Sequence, residues 1–407
     1  MKHRQQLDPD LPGSTYVYRY QVYAPDGDGF YAPNLSAQII PDGEPEYGPG
    51  FFTMGESGDL FLKTVTVDQD RIASGRLYRI HWDGITLSRE LVLDEVPTFY
   101  KANPLLADLN SDGIDDLVLP GSSLPRTLSS ARDQLQWSEG LSEGEFSTDF
   151  KAISDVKGGS TLSHVGDIDG DGDVDIVSEY HENFDRNVLR IWLNDGVGHY
   201  ENLSVPLPYS ATTFEPGVYC NTRLIAVRDL SGSPHFARVS EPGISLPSGK
   251  MDFLVRVDFP TLDRSLIGWV VQDSAGVFRF LQLGWDGISG VEYETGASKD
   301  LVLDWDSDGI EDLVVIAPTD RSVSPGSLWE SHTYQITWKN NLTLHSAHQE
   351  IILPSVPAFR NGITLTDMDR DGDLDVFSYG DFLGQPSSFW FERESDQGFL
   401  AFHELSD

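Results

Sequence analysis

Four acidic segments of the chain share one spacing of carboxylates. Each reads Asp-x-(Asp/Asn)-x-Asp-Gly-x-x-Asp, and the copies begin at Asp108, Asp167, Asp304 and Asp367. In a tight loop the oxygens at positions 1, 3 and 5 converge, Gly at position 6 permits the sharp turn, position 7 offers its carbonyl, and position 9 adds another oxygen. A ligand set made only of oxygen favours a hard cation such as calcium over zinc or copper. The sequence therefore predicts about four Ca²⁺ ions.

The predicted ligands follow from this spacing and share the odd-numbered positions of each loop. In chain order these positions hold Asp108, Asn110, Asp112, Ile114 and Asp116; Asp167, Asp169, Asp171, Asp173 and Asp175; Asp304, Asp306, Asp308, Ile310 and Asp312; and Asp367, Asp369, Asp371, Asp373 and Asp375. Position 7 would contribute its main-chain carbonyl, and the other positions would contribute side-chain oxygens.

Two other readings of the same residues are less consistent with the pattern. An EF-hand begins with this spacing but needs a bidentate Glu at position 12 and flanking helices. Position 12 is instead Leu119, Ser178, Val315 and Ser378, and strand-like apolar runs follow each loop. Ordinary Asp-Gly hairpin turns would explain one copy. They do not explain four copies with three aligned acidic or amide positions each.

The elements that must position these loops are predicted to be short β-strands. A strand-like run follows each loop, and an aromatic residue then precedes a further turn signal. Seven such aromatic positions can be placed along the chain: Tyr23, Trp82, Trp137, Trp192, Trp285, Trp338 and Trp390. The repeated unit of four strands spans about 58 residues, and this layout is typical of a propeller blade. We predict an all-β, seven-bladed β-propeller of four-stranded blades, with six or eight blades as alternatives.

The recurring tryptophan has two readings. It could form a row of sugar-stacking platforms, but a large ring repeated at one strand position more often packs between neighbouring sheets. Two further units look degenerate, one near residues 50–60 and one at 223–239. The second keeps Asp229 and Ser231 but has Ser233, Pro234 and His235 where ligands and glycine belong. No metal is expected at either unit.

Composition narrows the class of protein. The net charge is −37, from 65 acidic against 28 basic residues, which argues against nucleic acid or an anionic membrane surface as a partner. No apolar run is long enough to insert in a membrane, and the N-terminal residues lack the apolar core of a signal peptide. Loops of this kind in extracellular modules bind calcium at about 10⁻⁴ to 10⁻³ M. We therefore expect a secreted, cell-surface or periplasmic protein whose signal peptide is not part of this chain.

The four loops and their following strands resemble the FG-GAP or VCBS repeat family, which includes the integrin α-subunit propeller. The segments VVIAPTD and WLNDGVGHYEN add to the resemblance, although a clear Phe-Gly start to each repeat is missing. The resemblance implies one propeller domain over residues 1–407, with clear repeats near 100–150, 160–205, 298–345 and 360–405. It also implies that calcium rigidifies loops on one face while the opposite face or the central mouth meets partners.

Function is less specific than fold, because the same scaffold carries many roles. We expect a calcium-stabilised, non-enzymatic module that binds an extracellular protein or a glycan. One alternative is a polysaccharide lyase or hydrolase, for which the candidate acid, base and charge-neutralising residues are His81, His164, Tyr180, His181 and Arg190. A zinc pair of His345 and His348 is weaker, because no third ligand motif accompanies it. Another alternative is a structural casing within a larger secreted or toxin-complex protein.

Overall fold

The structure is a computed structural model, and the part of it described here is a set of strands with the loops between some of them. The described residues are 2–6, 16–25, 31–37, 51–54, 60–67, 73–82, 87–96, 104–120, 135–142, 144–153, 160–183, 186–205, 221–231, 249–259, 264–272, 278–283, 299–305, 309–318, 331–332, 334–339, 348–352, 356–357, 362–367, 371–382, 385–393 and 399–405. Within them every regular element is a β-strand, and every strand pairing is antiparallel.

The first four sheets follow the chain in order, and each is built from consecutive strands. Sheet 1 contains β1 (Lys2–Gln6), β2 (Tyr16–Pro25) and β3 (Tyr31–Ala37). Sheet 2 contains β4 (Phe51–Met54), β5 (Leu60–Val67), β6 (Ala73–Trp82) and β7 (Leu87–Val96). Sheet 3 contains β8 (Leu105–Ala107), β9 (Asp116–Leu119), β10 (Gln136–Ser142) and β11 (Glu145–Ala152). Sheet 4 contains β12 (Ser160–Gly166), β13 (Asp175–Asn183), β14 (Arg186–Asn194) and β15 (Tyr200–Ser204).

The remaining three sheets repeat this plan, with one small addition. Sheet 5 contains β16 (Asn221–Arg228), β17 (Asp252–Phe259), β18 (Arg264–Gln272) and β19 (Phe278–Leu283). Sheet 6 contains β20 (Lys299–Leu303), β21 (Asp312–Pro318), β23 (Tyr334–Lys339) and β24 (His348–Ile352), and a two-stranded ribbon beside it pairs β22 (Ser331–His332) with β25 (Val356–Pro357). Sheet 7 contains β26 (Gly362–Thr366), β27 (Asp375–Phe382), β28 (Gln385–Arg393) and β29 (Phe399–Leu405).

The all-β prediction is confirmed for the described residues, and so is the four-stranded antiparallel unit. Six sheets have four strands, whereas sheet 1 has three strands in the part of the chain that is described. The segment 252–272 supplies the two middle strands of sheet 5. The division of residues 1–407 into a single domain stays a prediction.

Sheets 2 to 6 pack face to face in chain order, each through a shared core. Second strands are apolar on both faces, so that alternate side chains enter two different cores. In β9, Leu117 and Leu119 enter a core with Phe61 of sheet 2, whereas Val118 enters a core with Trp192 of sheet 4. Two further cores join sheet 4 to sheet 5 and sheet 5 to sheet 6. The sheets therefore form a continuous stack. At the chain ends, β1 of sheet 1 lies against β27 of sheet 7.

Tryptophan occupies one register position on the third strand of several sheets. Trp137, Trp338 and Trp390 each lie opposite the second residue after the last aspartate of their acidic loop, and Trp192 is offset by one residue. Sheet 5 places Trp269 at this position. The sequence had assigned the position to Trp285, which lies outside the described residues.

The tryptophan side chains that are described at this position are buried, at 1–4% exposure: Trp137, Trp192, Trp269 and Trp390. Trp137 and Trp192 share the core between sheets 3 and 4. Packing between sheets is therefore the role of these rings, and none of the four offers a face to a sugar.

A buried ion pair joins sheets 5 and 6 at the end of the strands away from the acidic loops. The guanidinium of Arg256 donates a hydrogen bond of 2.9 Å to Asp300, and the two side chains are 0% and 1% exposed. Arg223 on the neighbouring strand approaches the other oxygen of Asp300 at 3.6 Å. Charges that have been taken out of water in this way depend on their partner.

We predict that Asp300→Ala lowers the free energy of unfolding by about 3–5 kcal/mol, because it removes a buried carboxylate that is hydrogen-bonded to the buried guanidinium of Arg256. The control is Asp94→Ala, which removes an exposed partner of Arg76 and should cost no more than about 1 kcal/mol. Urea unfolding of both variants measures the difference. Equal losses would contradict the role given to the buried pair.

Candidate metal centres

Each acidic loop connects the first and second strands of a sheet. The loop at 108–116 joins β8 to β9, the loop at 167–175 joins β12 to β13, and the loops at 304–312 and 367–375 join the corresponding strands of sheets 6 and 7. We call them loops 1 to 4. Residues 306–308 and 368–370 are outside the described part, so the predicted ligands Asp306, Asp308 and Asp369 have no structural account here.

The glycine at position 6 is required for backbone conformation. Its φ is +85° in Gly113 and Gly309 and +99° in Gly172 and Gly372, in the left-handed region that disfavours side chains. A Cβ atom would meet nothing within 4 Å at any of the four. The turn, rather than a lack of space, therefore demands glycine.

The aspartate at position 1 folds each loop by accepting a main-chain hydrogen bond. Its Oδ2 accepts from the N–H of the position 6 glycine in all four loops, at 2.7, 3.1, 2.9 and 3.2 Å. The aspartate at position 5 accepts from the N–H of position 7 in loops 1, 2 and 4, at 2.9–3.0 Å. The acids are thus held inward by the loop's own main chain.

The side-chain oxygens of loop 2 converge as a hard cation would require. One carboxylate oxygen from each of Asp167, Asp169 and Asp175 lies within 4.8 Å of the other two. Ligands at the usual calcium–oxygen distance of about 2.3–2.6 Å lie at most about 5.2 Å apart, so the three oxygens fit around one ion. In loop 4 the buried Oδ1 of Asp367 has no hydrogen-bond partner among the described residues, which leaves it available as a ligand.

The aspartate at position 9 differs from the others because it is buried and tied to a third strand. Asp116 accepts hydrogen bonds from the N–H of Leu109 at 3.0 Å and of Gly140 at 2.7 Å. Asp175 accepts from Ile168 and Asn194, both at 2.8 Å. One oxygen therefore closes the loop at position 2 and the other binds the third strand of the same sheet.

The ninth aspartate makes one of these two hydrogen bonds in each of loops 3 and 4, as far as the described residues show. Asp312 accepts from the N–H of Trp305 at 3.0 Å, and Asp375 accepts from the N–H of Arg393 at 2.9 Å. Both aspartates are fully buried. The ninth position is therefore a structural clamp as well as a predicted ligand.

Burial of these carboxylates makes their negative charge unfavourable. Desolvation raises the pKa of Asp116 and of Asp175 to about 6. The hydrogen bonds from main-chain N–H groups oppose this shift, and neighbouring loop acids, such as Asp108 and Asp112 in loop 1, add to it. A cation bound in the loop would offset this unfavourable negative charge.

A fifth loop of the same design lies in sheet 5, and sequence reasoning missed half of it. Asp229 occupies position 1 and accepts from the N–H of Gly249 at 3.0 Å. Gly249 has φ +81° like the other position 6 glycines, and Asp252 three residues later accepts from Leu230 and Gln272 at 3.2 and 3.3 Å.

The residues between Ser231 and Gly249 therefore separate the two halves of this loop. Ser233, Pro234 and His235, which the sequence aligned with ligand positions, belong to the inserted segment and lie outside the described residues. Position 7 of the fifth loop is Lys250. Burial raises the pKa of Asp169 in loop 2, and the positive charge of Lys250 partly opposes that rise. The sequence signal that could have revealed the second half of the fifth loop is the Gly-x-x-Asp pattern at 249–252.

The described candidates for catalysis do not form one group. His164 lies on β12, where burial and the charge of Arg228 lower its pKa, and Arg190 is buried on β14. His81 belongs to sheet 2 and pairs with Glu90 at 3.2 Å. The side chains of the other candidates, Tyr180, His181, His345 and His348, are outside the described part.

We predict that two variants of loop 2 separate the ligand role from the clamp role. The parent protein should gain several degrees in melting temperature in millimolar calcium. Asp171→Ala should lose only the part of that gain that the ion of loop 2 supplies and should change little in EDTA, because Asp171 is exposed. Asp175→Ala should fall in both conditions, since each buried N–H that it orphans costs about 1–3 kcal/mol. Differential scanning calorimetry measures all three proteins.

The neutral control is Asp149→Ala, an exposed aspartate outside the loops. If Asp171→Ala and Asp175→Ala lost the same stability in EDTA, the clamp role of the ninth position would be wrong.

We predict that the stabilisation by calcium is larger at pH 7.5 than at pH 5.5. The raised pKa of Asp116 and Asp175 means that, without metal, protonation stabilises the folded chain, and this stability is lost as the pH rises through about 6. A bound cation would have to displace those protons at the lower pH. The measurement is the difference in melting temperature between calcium and EDTA at both pH values. The contributions of groups that titrate in the same way in both solutions, such as His164, cancel in this difference. A difference that shrinks as the pH rises would contradict the prediction.

The segments of this chain that match a known protein family are those that contain the acidic loops. The family model of the FG-GAP-like repeat matches residues 108–178 and 304–378, which contain loops 1 and 2 and loops 3 and 4. Comparison with curated proteins found no match.

Two solved structures cover most of the chain with weak similarity. A protein of unknown function from Dyadobacter fermentans DSM 18053 is 13% identical, with 86% of this chain and 94% of that chain covered and a TM-score of 0.44. Xylan beta-1,4-xylosidase from Bacillus halodurans C-125 is 11% identical, with 96% and 88% covered and a TM-score of 0.35. The two family matches show FG-GAP-like repeats in the two segments of the chain that contain the acidic loops.

Proposed function

We propose that this protein is a calcium-stabilised β-propeller that acts outside the cytoplasm as a binding module for a protein or a glycan. The observation that carries the proposal is the way the loop acids are used. Aspartates at positions 1, 5 and 9 accept main-chain hydrogen bonds of their own loop, and the ninth also binds the third strand. Such a loop is built to hold strands together, which suits a structural ion better than a catalytic one.

The arrangement of sheets supports a closed propeller of seven blades. Sheets 2 to 6 pack in sequence through four shared cores, and each contributes both faces to its neighbours where the cores are described. The contact of β1 with β27 brings the first sheet to the last, as a closed ring requires. Six four-stranded sheets and the three-stranded sheet 1 would make the seven blades.

Calcium is the ion that suits the loops, and it would supply the positive charge that the buried carboxylates lack. Four divalent ions would offset about eight of the 37 net negative charges. Asp167, Asp169 and Asp175 would hold the ion of loop 2, and the matching residues would hold the others.

The proposed location rests on the calcium chemistry, since loops of this kind in extracellular modules bind in the range of about 10⁻⁴ to 10⁻³ M. In the described residues, no helix is long and apolar enough to span the bilayer.

The surface that meets a partner is proposed to lie away from the acidic loops. Loop side chains turn their oxygens inward to main-chain N–H groups, which leaves few of them for a ligand in solution. At the other end of the strands, Arg223 is 37% exposed beside the buried pair of Asp300 and Arg256. Arg223 therefore offers a partly exposed guanidinium at this end of the strands.

The proposal predicts that the protein binds a glycan or an extracellular protein in millimolar calcium, as measured on a glycan array and a panel of extracellular proteins. Chelation should abolish this binding by loosening the fold. Asp171→Ala should keep it at a temperature where the variant stays folded, because the ion would not touch the partner. No binding to any glycan or extracellular protein in calcium would refute the binding-module proposal.

A further inference from the structure

One buried amide connects loop 1 to loop 2. Asn194, the last residue of β14, is 4% exposed. Its Nδ2 donates hydrogen bonds to the carbonyl of Leu109 in loop 1 at 2.6 Å and to the carbonyl of Val174 in loop 2 at 3.1 Å. Two loops on different sheets thus share a single side chain.

The two carbonyls lie between predicted ligands. Leu109 is position 2 of loop 1, between Asp108 and Asn110, and Val174 is position 8 of loop 2. The main-chain N–H of Asn194 is itself held by the carboxylate of Asp175 at 2.8 Å. Any movement of the ligands in one loop must therefore move a peptide group that the other loop also contacts.

The orientation of the amide is fixed by its partners. Both acceptors are carbonyl oxygens, so the NH₂ group has to face them, and turning the amide over would place its oxygen against both. The Oδ1 atom that results is buried without a hydrogen-bond partner among the described residues. An unsatisfied buried acceptor is unfavourable, so the bridge is made in spite of a local cost.

Loops 3 and 4 are connected in the same place by a different side chain. Arg393 ends β28, and its N–H is held by Asp375 as that of Asn194 is held by Asp175. Its Nη1 donates to the carbonyl of Trp305, at position 2 of loop 3, at 2.6 Å, and its guanidinium stacks on the Trp305 ring at 4.3 Å. Asn194 and Arg393 therefore link neighbouring loops at the same place with different side chains. This indicates that the fold requires the link itself and not one particular residue type.

We propose that Asn194 is a positioning residue that couples calcium binding in loop 1 to calcium binding in loop 2. Filling one loop fixes its main chain, and the shared amide then holds the other loop in its binding conformation. The effect must be reciprocal, because a coupling free energy is the same from either side. This inference rests on the proposed calcium function and adds a specific dependence between two of its sites.

The test isolates the two coupled loops in the full chain. Asp308→Ala and Asp371→Ala remove a predicted ligand from loops 3 and 4, and isothermal titration with calcium then reports on loops 1 and 2. We expect two ions, with the second binding about five-fold more tightly than independent sites would allow, at the lower end of typical couplings. Adding Asn194→Ala should leave two ions that bind independently.

The matched control removes a buried hydrogen bond from the same sheet without touching either loop. Ser178→Ala deletes the acceptor of the Trp192 indole N–H, at 2.9 Å, and should keep the five-fold coupling. Equal coupling with and without Asn194→Ala would overturn the inference, and so would two independent ions in the parent. A parent that binds no calcium would overturn the proposed function as well.

Hydrogen–deuterium exchange supplies a second measurement that leaves Asn194 in place. In a chain with loop 1 disabled by Asp112→Ala, calcium in loop 2 should still slow amide exchange at residues 109–114 several-fold. Exchange there that ignores calcium would overturn the coupling, even if Asn194→Ala proved unable to fold.

Discussion

A buried aspartate carboxylate that accepts two main-chain hydrogen bonds is the interaction on which the rest of this structure depends. It closes the acidic loop at position 2 and, with its other oxygen, holds the third strand of the same sheet. Both bonds are present at Asp116 and Asp175 and again at Asp252. Without this clamp the loop would be a flexible hairpin, and the acids beside it would have no fixed direction.

The fifth loop shows that the clamp does not require the full set of acidic positions. Asp252 keeps both hydrogen bonds, although Asp229 is the one other acidic position that remains in this loop. At position 7 the fifth loop has Lys250, where loops 1 to 4 have Ile or Asp. The architecture of the sheet therefore survives the loss of ligands. In loops 1 and 2 the clamp leaves a buried carboxylate whose pKa is raised by desolvation, as it is at Asp252. A cation in those loops would convert this unfavourable charge into a cross-link.

Sequence reasoning identified the loops, the all-β class and the packing role of the tryptophans, because each has a fixed local spacing. It could not find the fifth loop, since an insertion separates Asp229 from Gly249 and no local pattern spans that distance. It placed the third-strand tryptophan of sheet 5 at Trp285 instead of Trp269 for the same reason.

Asn194 illustrates a different limit. In the segment WLNDGVG it looks like an ordinary turn residue, and only the three-dimensional structure brings its amide to the carbonyl of Leu109. Contacts between repeats depend on how the sheets stack, and a repeat pattern read one unit at a time does not contain that information.

The most direct measurement is a crystal structure grown in calcium, with anomalous scattering used to locate the ions. We predict one calcium in each of loops 1 to 4, within about 2.3–2.6 Å of the position 1, 3 and 5 side chains, and none in the loop from Asp229 to Asp252. We also predict that the ninth-position aspartates keep their main-chain hydrogen bonds. Empty acidic loops in millimolar calcium would contradict the central claim.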